Sequence, residues 1–146
     1  METQLLYKSK IKIFKEILEK IKDKKNKHYR NYKRYKRINN FLKISVNILN
    51  ASSVCSLIIS YMGLTPVLLV SLSLTSISSI LTAFSSSFEI DFKISSHNNS
   101  YLQYSEIYRH YNQILIKNGL STGDIDIYLN ELNEKLNLIE DNELPI

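Results

Sequence analysis

Several residue types are scarce in this 146-residue chain, and each scarcity excludes a class of protein. The single cysteine, Cys55, excludes a disulfide framework and a thiolate zinc site. Three glycines and two prolines exclude collagen-like, linker-rich and many-turned β architectures. The largest gap is in charge, because the 45 residues from Ile44 to Phe88 include no Asp, Glu, Lys or Arg.

The charged residues are divided between the two ends of the chain. Residues 1–43 hold 15 Lys/Arg and 4 Asp/Glu, a net charge of +11, whereas residues 89–146 hold 4 and 10, a net charge of −6. The overall charge of +5 therefore describes no part of the molecule. We divide the chain into a basic segment (1–43), an uncharged segment (44–88) and an acidic segment (89–146). Opposite charge predicts that the two ends lie together on one side of a membrane.

The uncharged segment is about the right length for two membrane spans, since each needs about 20 helical residues. A turn is indicated where Gly63 closes one helix and Pro66 lies in the first turn of the next. The predicted helices run over roughly 44–62 and 66–86. The segment begins too late in the chain for a signal peptide. The predicted fold is all-α, with a two-helix transmembrane hairpin flanked by a basic N-terminal amphipathic helix and two cytosolic C-terminal helices.

Basic residues before the first span predict the orientation, because such residues stay on the cytoplasmic side. Both termini are then cytoplasmic, and the sequon at Asn98 stays unmodified. Interleaved aromatic and cationic side chains suit the interface of a bilayer with anionic headgroups. Nucleic acid is a less favoured partner for the same pattern. The interface residues are Tyr29, Arg30, Tyr32, Lys33, Arg34, Tyr35, Lys36 and Arg37.

The predicted spans are rich in hydroxyl groups, with 13 Ser and three Thr among the 45 residues of the uncharged segment. Helical spacing places many of these on one face of each helix. Such faces are typical of packing interfaces between membrane helices, and the alternative is a pore wall in an oligomer. A third interpretation buries the hairpin inside a soluble helical bundle. The candidate face consists of Ser45, Ser52, Ser56, Ser60, Ser71, Thr75, Ser78, Thr82 and Ser85.

Apolar residues at heptad spacing predict amphipathic helices on both sides of the hairpin. In the basic segment the repeat runs from Tyr7 to Tyr35, which predicts either packing against the C-terminal part or an oligomeric coiled coil. A tyrosine stripe from Tyr101 to Tyr111 marks a third helix, which Asn118-Gly119 ends. Capping-box spacing at Ser121 and Asp124 opens a last helix.

The arrangement resembles the SLATT domain family over about residues 25–118. The resemblance rests on the basic, Tyr-rich run His28–Arg37, the two short-looped Ser-rich spans, and the following helix with the run Tyr104–Arg109. It implies a two-span membrane effector of nucleotide-signalling conflict systems, which oligomerises and forms a pore when a linked sensor fires. This chain contains no sensor domain.

Enzymatic chemistry finds little support in the sequence. The three histidines are far apart, without metal-binding spacing, and no Gly-rich phosphate loop occurs. We expect no enzyme activity and no cofactor. Two functions remain open: an oligomeric pore-forming or membrane-perturbing protein, and a non-conducting structural or adaptor protein, for example of a virion or organelle membrane. The adaptor would recruit a cytosolic protein through its charged helices.

Overall fold

The computed structural model describes residues 2–61, 65–116 and 121–142. These residues form four helices: α1 (Glu2–Tyr61), α2 (Thr65–Ser87), α3 (Ile90–Ile116) and α4 (Thr122–Glu140). The prediction of an all-α chain is confirmed for this part of the chain. Pro66 lies in the first turn of α2, as expected. The predicted turn at Gly63 and the predicted cap at Asn118-Gly119 fall outside the described residues.

The chain divides into two compact units. Unit 1 comprises Met1–Tyr32 and Ser95–Ile146, and unit 2 comprises Lys33–Ile94. Helix α1 is continuous, so its first half belongs to unit 1 and its second half to unit 2. The sequence pattern predicted separate basic and apolar helices here. Residues 37–44 contain no Gly or Pro to end a helix, and the helical hydrogen bonds continue from one to the other.

Unit 1 has a hydrophobic core built from the heptad positions of α1, the tyrosine stripe of α3 and the apolar face of α4. Phe14 meets Tyr111 edge-to-face, with ring centroids 6.1 Å apart. Burial of these side chains supplies most of the stability, since a buried aliphatic or aromatic side chain contributes roughly 1.5–3 kcal/mol. The core residues are Phe14, Leu18, Ile21, Tyr104, Ile107, Tyr111, Leu132 and Ile139.

Two ion pairs join the basic helix α1 to the acidic helix α4 within unit 1. Lys10 Nζ lies 2.5 Å from Asp126 Oδ2, and Lys24 Nζ lies 2.8 Å from Glu140 Oε1. Exposed ion pairs of this kind contribute only about 0–1 kcal/mol each to stability. Their main effect is therefore to favour α4 as the helix that packs against α1. The basic N-terminal and acidic C-terminal helices are therefore in contact, as the charge distribution predicted.

Helix α4 begins with the predicted capping box. The Ser121 hydroxyl accepts from the Asp124 N–H at 3.2 Å, and Asp124 Oδ2 accepts from the Ser121 N–H at 2.9 Å. The hydrogen bonds from Ser121 lower the pKa of the Asp124 carboxyl. Asp here does what Glu does in the usual box, which satisfies N–H groups that have no partner within the helix.

Unit 2 holds the end of α1, all of α2 and the start of α3. A tight turn joins α2 to α3, with the Phe88 N–H donating to Phe84 O at 3.1 Å and the Glu89 N–H to Ser86 O at 3.0 Å. Glu89 closes the turn in the left-handed region, with φ 48°. A side chain in this region costs roughly 1–2 kcal/mol. The turn therefore stores backbone strain at a position that glycine would occupy freely.

Two helices of the described part are long and apolar enough to cross a membrane, and only 11% of the most apolar stretch of each is buried. One apolar stretch lies in α1, and the other stretch begins at Val67 in α2. This agrees in outline with the prediction of two spans.

Candidate functional site

The fully buried positions of the apolar helices of unit 2 are polar, and most of their large apolar side chains are exposed. Among the described residues of 44–87, the buried ones are Ser53, Ser71 and Ser78. Five aliphatic side chains are half-buried: Val46, Leu49, Val67, Leu74 and Leu81. The exposed large aliphatic and aromatic side chains are Ile44, Ile48, Val54, Leu57, Ile58, Ile59, Tyr61, Leu68, Leu69, Val70, Leu72, Ile77, Ile80 and Phe84.

Ser53 of α1 and Ser71 of α2 form the centre of the contact. The Ser71 hydroxyl donates to Ser53 O at 3.0 Å, and the Ser53 hydroxyl donates to Ser71 O at 3.2 Å. Each hydroxyl has one proton, so this reciprocal arrangement uses both, and the 3.0 Å between the two Oγ atoms is a packing contact. A hydroxyl reaches the opposite carbonyl only when the backbones approach closely, which serine permits.

A second polar contact lies further along the pair. The Ser78 hydroxyl donates to Asn50 Oδ1 at 2.7 Å. Ser53 Oγ also lies 3.4 Å from Thr75 Oγ1, whose hydroxyl donates to Ser71 O within its own helix. Polar groups of α1 and α2 are therefore matched at two levels, which fixes the register of the two helices.

Several further hydroxyls of α2 donate within the helix. Ser73, Ser79 and Thr82 donate to the carbonyls four residues earlier, at 2.8–2.9 Å. A hydroxyl bonded in this way keeps acceptor lone pairs for another donor. Four exposed hydroxyl residues of α2 are spaced four, three and four apart, so they share one face, which we call the outer hydroxyl face. It consists of Thr75, Ser79, Thr82 and Ser86.

The predicted serine face is thus divided between different surroundings. Of its members, Ser71 and Ser78 are buried, Ser45, Ser56, Ser60 and Ser85 are half-buried, and Ser52, Thr75 and Thr82 are exposed.

Ser53, which is 3% exposed and makes the central contact, was not among the residues predicted from the sequence. Ser52, one position earlier, was predicted instead, because the serines at 56 and 60 continue its spacing of four. The two adjacent serines face directions about 100° apart on a helix. Val46, Ser53 and Ser60 are seven positions apart, and all three are half-buried or buried. Heptad spacing could therefore have indicated this face of the helix.

A groove with both apolar and charged lining residues lies at the end of the pair nearest the α2–α3 turn. Its lining includes Lys43, Asn47, Ser85, Glu89 and Asp91. The carboxylate of Asp91 accepts from Asn39 Nδ2 at 2.6 Å and lies 3.4 Å from Lys43 Nζ. The two acidic residues next to the apolar stretch therefore have different roles. Asp91 has a cationic neighbour, whereas Glu89 closes the turn.

The basic, Tyr-rich part of α1 has its cations exposed and its rings turned toward α3. In unit 1, the Tyr29 ring contacts the Tyr101 ring at a tilt of 32°, with centroids 4.9 Å apart, and stacks on Tyr32 at 6.4 Å. In unit 2, Lys93 Nζ lies 5.8 Å from the centre of the Tyr35 ring. The cationic side chains of this segment are exposed: Arg30, Lys33, Arg34, Lys36 and Arg37.

In the described part of the chain, no group of three or more His, Cys, Asp or Glu side chains is placed to hold a metal ion. The protein-family models, curated proteins and solved structures with which the chain was compared do not match it.

Proposed function

We propose that this chain is an integral membrane protein whose two apolar helices cross the bilayer as a hairpin and assemble with other copies into a polar pathway. Both termini face the cytosol, and the chain is a pore-forming or membrane-perturbing effector of the kind that the SLATT resemblance implies.

The observation that carries the membrane assignment is the reversed polarity of unit 2. A helix pair in water buries its aliphatic side chains and exposes its serines, because burial of apolar area drives its association. In lipid the tails are as apolar as leucine, so the polar groups are the ones that gain by facing each other. Ser53, Ser71 and Ser78 are buried while most of the aliphatic side chains are exposed, which supports the membrane pattern.

This reversal argues against a hairpin buried in a soluble bundle. Such a bundle would cover the aliphatic side chains with its other helices, yet Leu69 is 68% and Ile80 67% exposed. Exposed apolar surface of this extent in water marks a contact with a membrane or another protein.

The exposed cations of α1 support the orientation and the lipid partner. Arg30, Arg34 and Arg37 lie just before the apolar stretch, where residues of this type stay on the cytosolic side and attract anionic headgroups. A two-span hairpin returns the chain to the same side, so α4 is cytosolic as well.

The outer hydroxyl face supports assembly. Its side chains are small, so a second copy can approach closely, and its oxygens keep lone pairs that accept from water or from another chain. An assembly that turns Ser79 and Thr82 toward its axis lines a path with hydroxyls.

A second function is favoured by a different observation. Ser71 and Ser78 are already engaged within one chain, so they hold the pair together without any neighbour. A hairpin stabilised in this way serves as an anchor, and unit 1, which has its own core, then recruits a cytosolic partner.

Leakage from vesicles distinguishes the two functions. The purified chain is reconstituted into vesicles loaded with a self-quenching dye, and Ser79→Leu/Thr82→Leu is compared with Ser73→Leu. Ser73 is a matched control, because its hydroxyl is bonded in the same way but lies six positions from Ser79, about 240° around the helix. A pore predicts at least a tenfold slower leak in the double variant and an unchanged leak in the control.

Two other outcomes contradict the proposal. Equal leakage in all three proteins would mean that Ser79 and Thr82 do not line the path. Vesicles that stay tight with the unaltered chain would contradict a pore and favour the adaptor. Extraction with alkaline carbonate tests the membrane assignment separately, since release of the protein from membranes would contradict both functions.

A further inference from the structure

Two histidines meet in the interior of unit 1. His28 of α1 is 0% and His97 of α3 is 3% exposed, and their Nδ1 atoms lie 3.1 Å apart. The ring of His28 stacks on Tyr104 with centroids 5.7 Å apart, at an interplanar angle of 27°. The histidine pair is therefore buried against an aromatic ring. It joins two helices that are distant in sequence.

The contact between the two Nδ1 atoms limits the number of protons the pair can hold. One nitrogen must donate and the other must accept, so between the facing atoms there is room for one hydrogen. If both rings are doubly protonated, two N–H groups point at each other and two positive charges lie close together in the interior.

We propose that the His28–His97 pair is a proton-sensitive latch between α1 and α3, closed while the facing nitrogens share one hydrogen and opened when both rings are protonated. This inference concerns unit 1 alone and stands whether or not unit 2 conducts ions.

The charged groups around the pair come from all three helices of unit 1. Lys24 Nζ lies 3.4 Å from the Tyr104 hydroxyl and also forms the ion pair with Glu140 of α4. A cation beside the stacked tyrosine opposes a second positive charge on the pair, and Glu140 partly offsets it. The titratable side chains within about one helical turn or in contact are Lys24, Lys25, Lys27, Tyr29, Arg30 and Tyr32 of α1, Lys93, Tyr101 and Tyr104 of α3, and Glu140 of α4.

The sign of the pH effect follows from proton counting. Free imidazoles take up protons near pH 6.5, so two exposed histidines bind two protons at pH 5. The closed pair binds at least one fewer, and the form that binds more protons is favoured as the pH falls. The latch is therefore stable above about pH 7 and weakens below it, by up to tenfold in the opening equilibrium per pH unit for one extra proton.

Two carboxyl groups of unit 1 keep their stabilising effect over the pH range in which the latch opens. The Lys135 hydrogen bond lowers the pKa of Glu131, and the Ser121 hydrogen bonds lower the pKa of Asp124. Stabilisation from both groups is present above the ordinary carboxyl pKa and is lost only as the pH falls through their lowered pKa values, which lie on the acid side of the histidine range.

Hydrogen exchange of the full chain in lipid nanodiscs tests the latch. Opening is followed through the amides of residues 24–32 and 95–104 between pH 7.5 and 5, after correction for the intrinsic pH dependence of exchange. The unaltered chain should open about tenfold more readily at pH 5 than at pH 6. His28→Gln/His97→Gln should lose this dependence.

His110 provides the matched control, since it is an exposed histidine on the same helix as His97. His110→Gln should keep the pH dependence of the unaltered chain. A flat profile in the unaltered chain, or an undiminished slope in the double variant, would overturn the proposal.

Nitrogen NMR of histidine-labelled, unaltered chain gives a test that needs no variant to fold. At pH 7.5 one buried ring should carry its proton on Nδ1 and the other should carry it on Nε2. If both buried rings carry it on Nε2, the shared hydrogen does not exist and the latch is refuted.

Discussion

Removing the Ser71 hydroxyl tests the polar contact between the two apolar helices. Ser71→Ala deletes the donor to Ser53 O, and Ser53→Ala deletes the donor to Ser71 O. Hydrogen bonds between membrane helices contribute about 0.6 kcal/mol on average and about 1.7 kcal/mol at most. Each single variant should therefore shift the equilibrium between associated and separated helices by about three- to twentyfold.

The double variant tests whether the two hydroxyls act together. Because they touch and belong to one hydrogen-bonded network, the loss in the double variant should differ from the sum of the two single losses by about 0.5 kcal/mol or more. Ser73→Ala is the control, since its hydroxyl donates to Leu69 O inside the same helix and this bond survives when the helices separate. The slightly better helix propensity of alanine is common to all the variants.

Separation of the helices can be followed by energy transfer in mixed detergent micelles as the denaturing detergent is increased. One dye is attached to Cys55, the single cysteine, and the other to a cysteine introduced at the exposed position Ile80. If Ser71→Ala lowers the midpoint no more than Ser73→Ala, the reciprocal contact does not hold the pair together.

Three further predictions concern stability. Leu132→Ala, at a fully buried position of unit 1, should cost about 2–5 kcal/mol in chemical unfolding, whereas Leu138→Ala at a 67% exposed position should stay within about 0.5 kcal/mol; equal effects would contradict the described core. Ser121→Ala should destabilise α4 by about 1 kcal/mol and raise the pKa of Asp124 in an NMR titration, and an unchanged pKa would mean that the capping box does not form. Glu89→Gly should raise the thermal stability of unit 2 by about 0.5–1 kcal/mol, because glycine relieves the left-handed backbone, and a loss of stability would contradict the strain.

Periodicity in the sequence predicts which face of a helix is buried, and it does so well in unit 1. Phe14, Leu18 and Ile21 of the heptad repeat are buried, as are Leu132 and Ile139 of the last helix. The capping box at Ser121 was predictable because its chemistry is local. These features depend on residues a few positions apart, which a single sequence contains.

Contacts between distant residues were harder to predict. His28 was assigned a place on the heptad face, but nothing in its surroundings indicates that His97, 69 positions later, lies against it. Ser52 and Ser53 are chemically identical neighbours, so the choice between them depends on where Ser71 lies. The spacing of residues in the sequence predicts which face of a helix is buried. The residue that packs against that face depends on the tertiary arrangement.

The collision accessibility of a nitroxide at Cys55 tests the membrane assignment most directly. Cys55 is the only cysteine, is exposed, and lies in the apolar half of α1, so the unaltered chain can be labelled at one defined position. If α1 crosses the bilayer in lipid vesicles, the nitroxide should collide often with oxygen, which concentrates in the bilayer, and seldom with a water-soluble nickel complex. Frequent collisions with the nickel complex and few with oxygen would place Cys55 in water and contradict the membrane assignment.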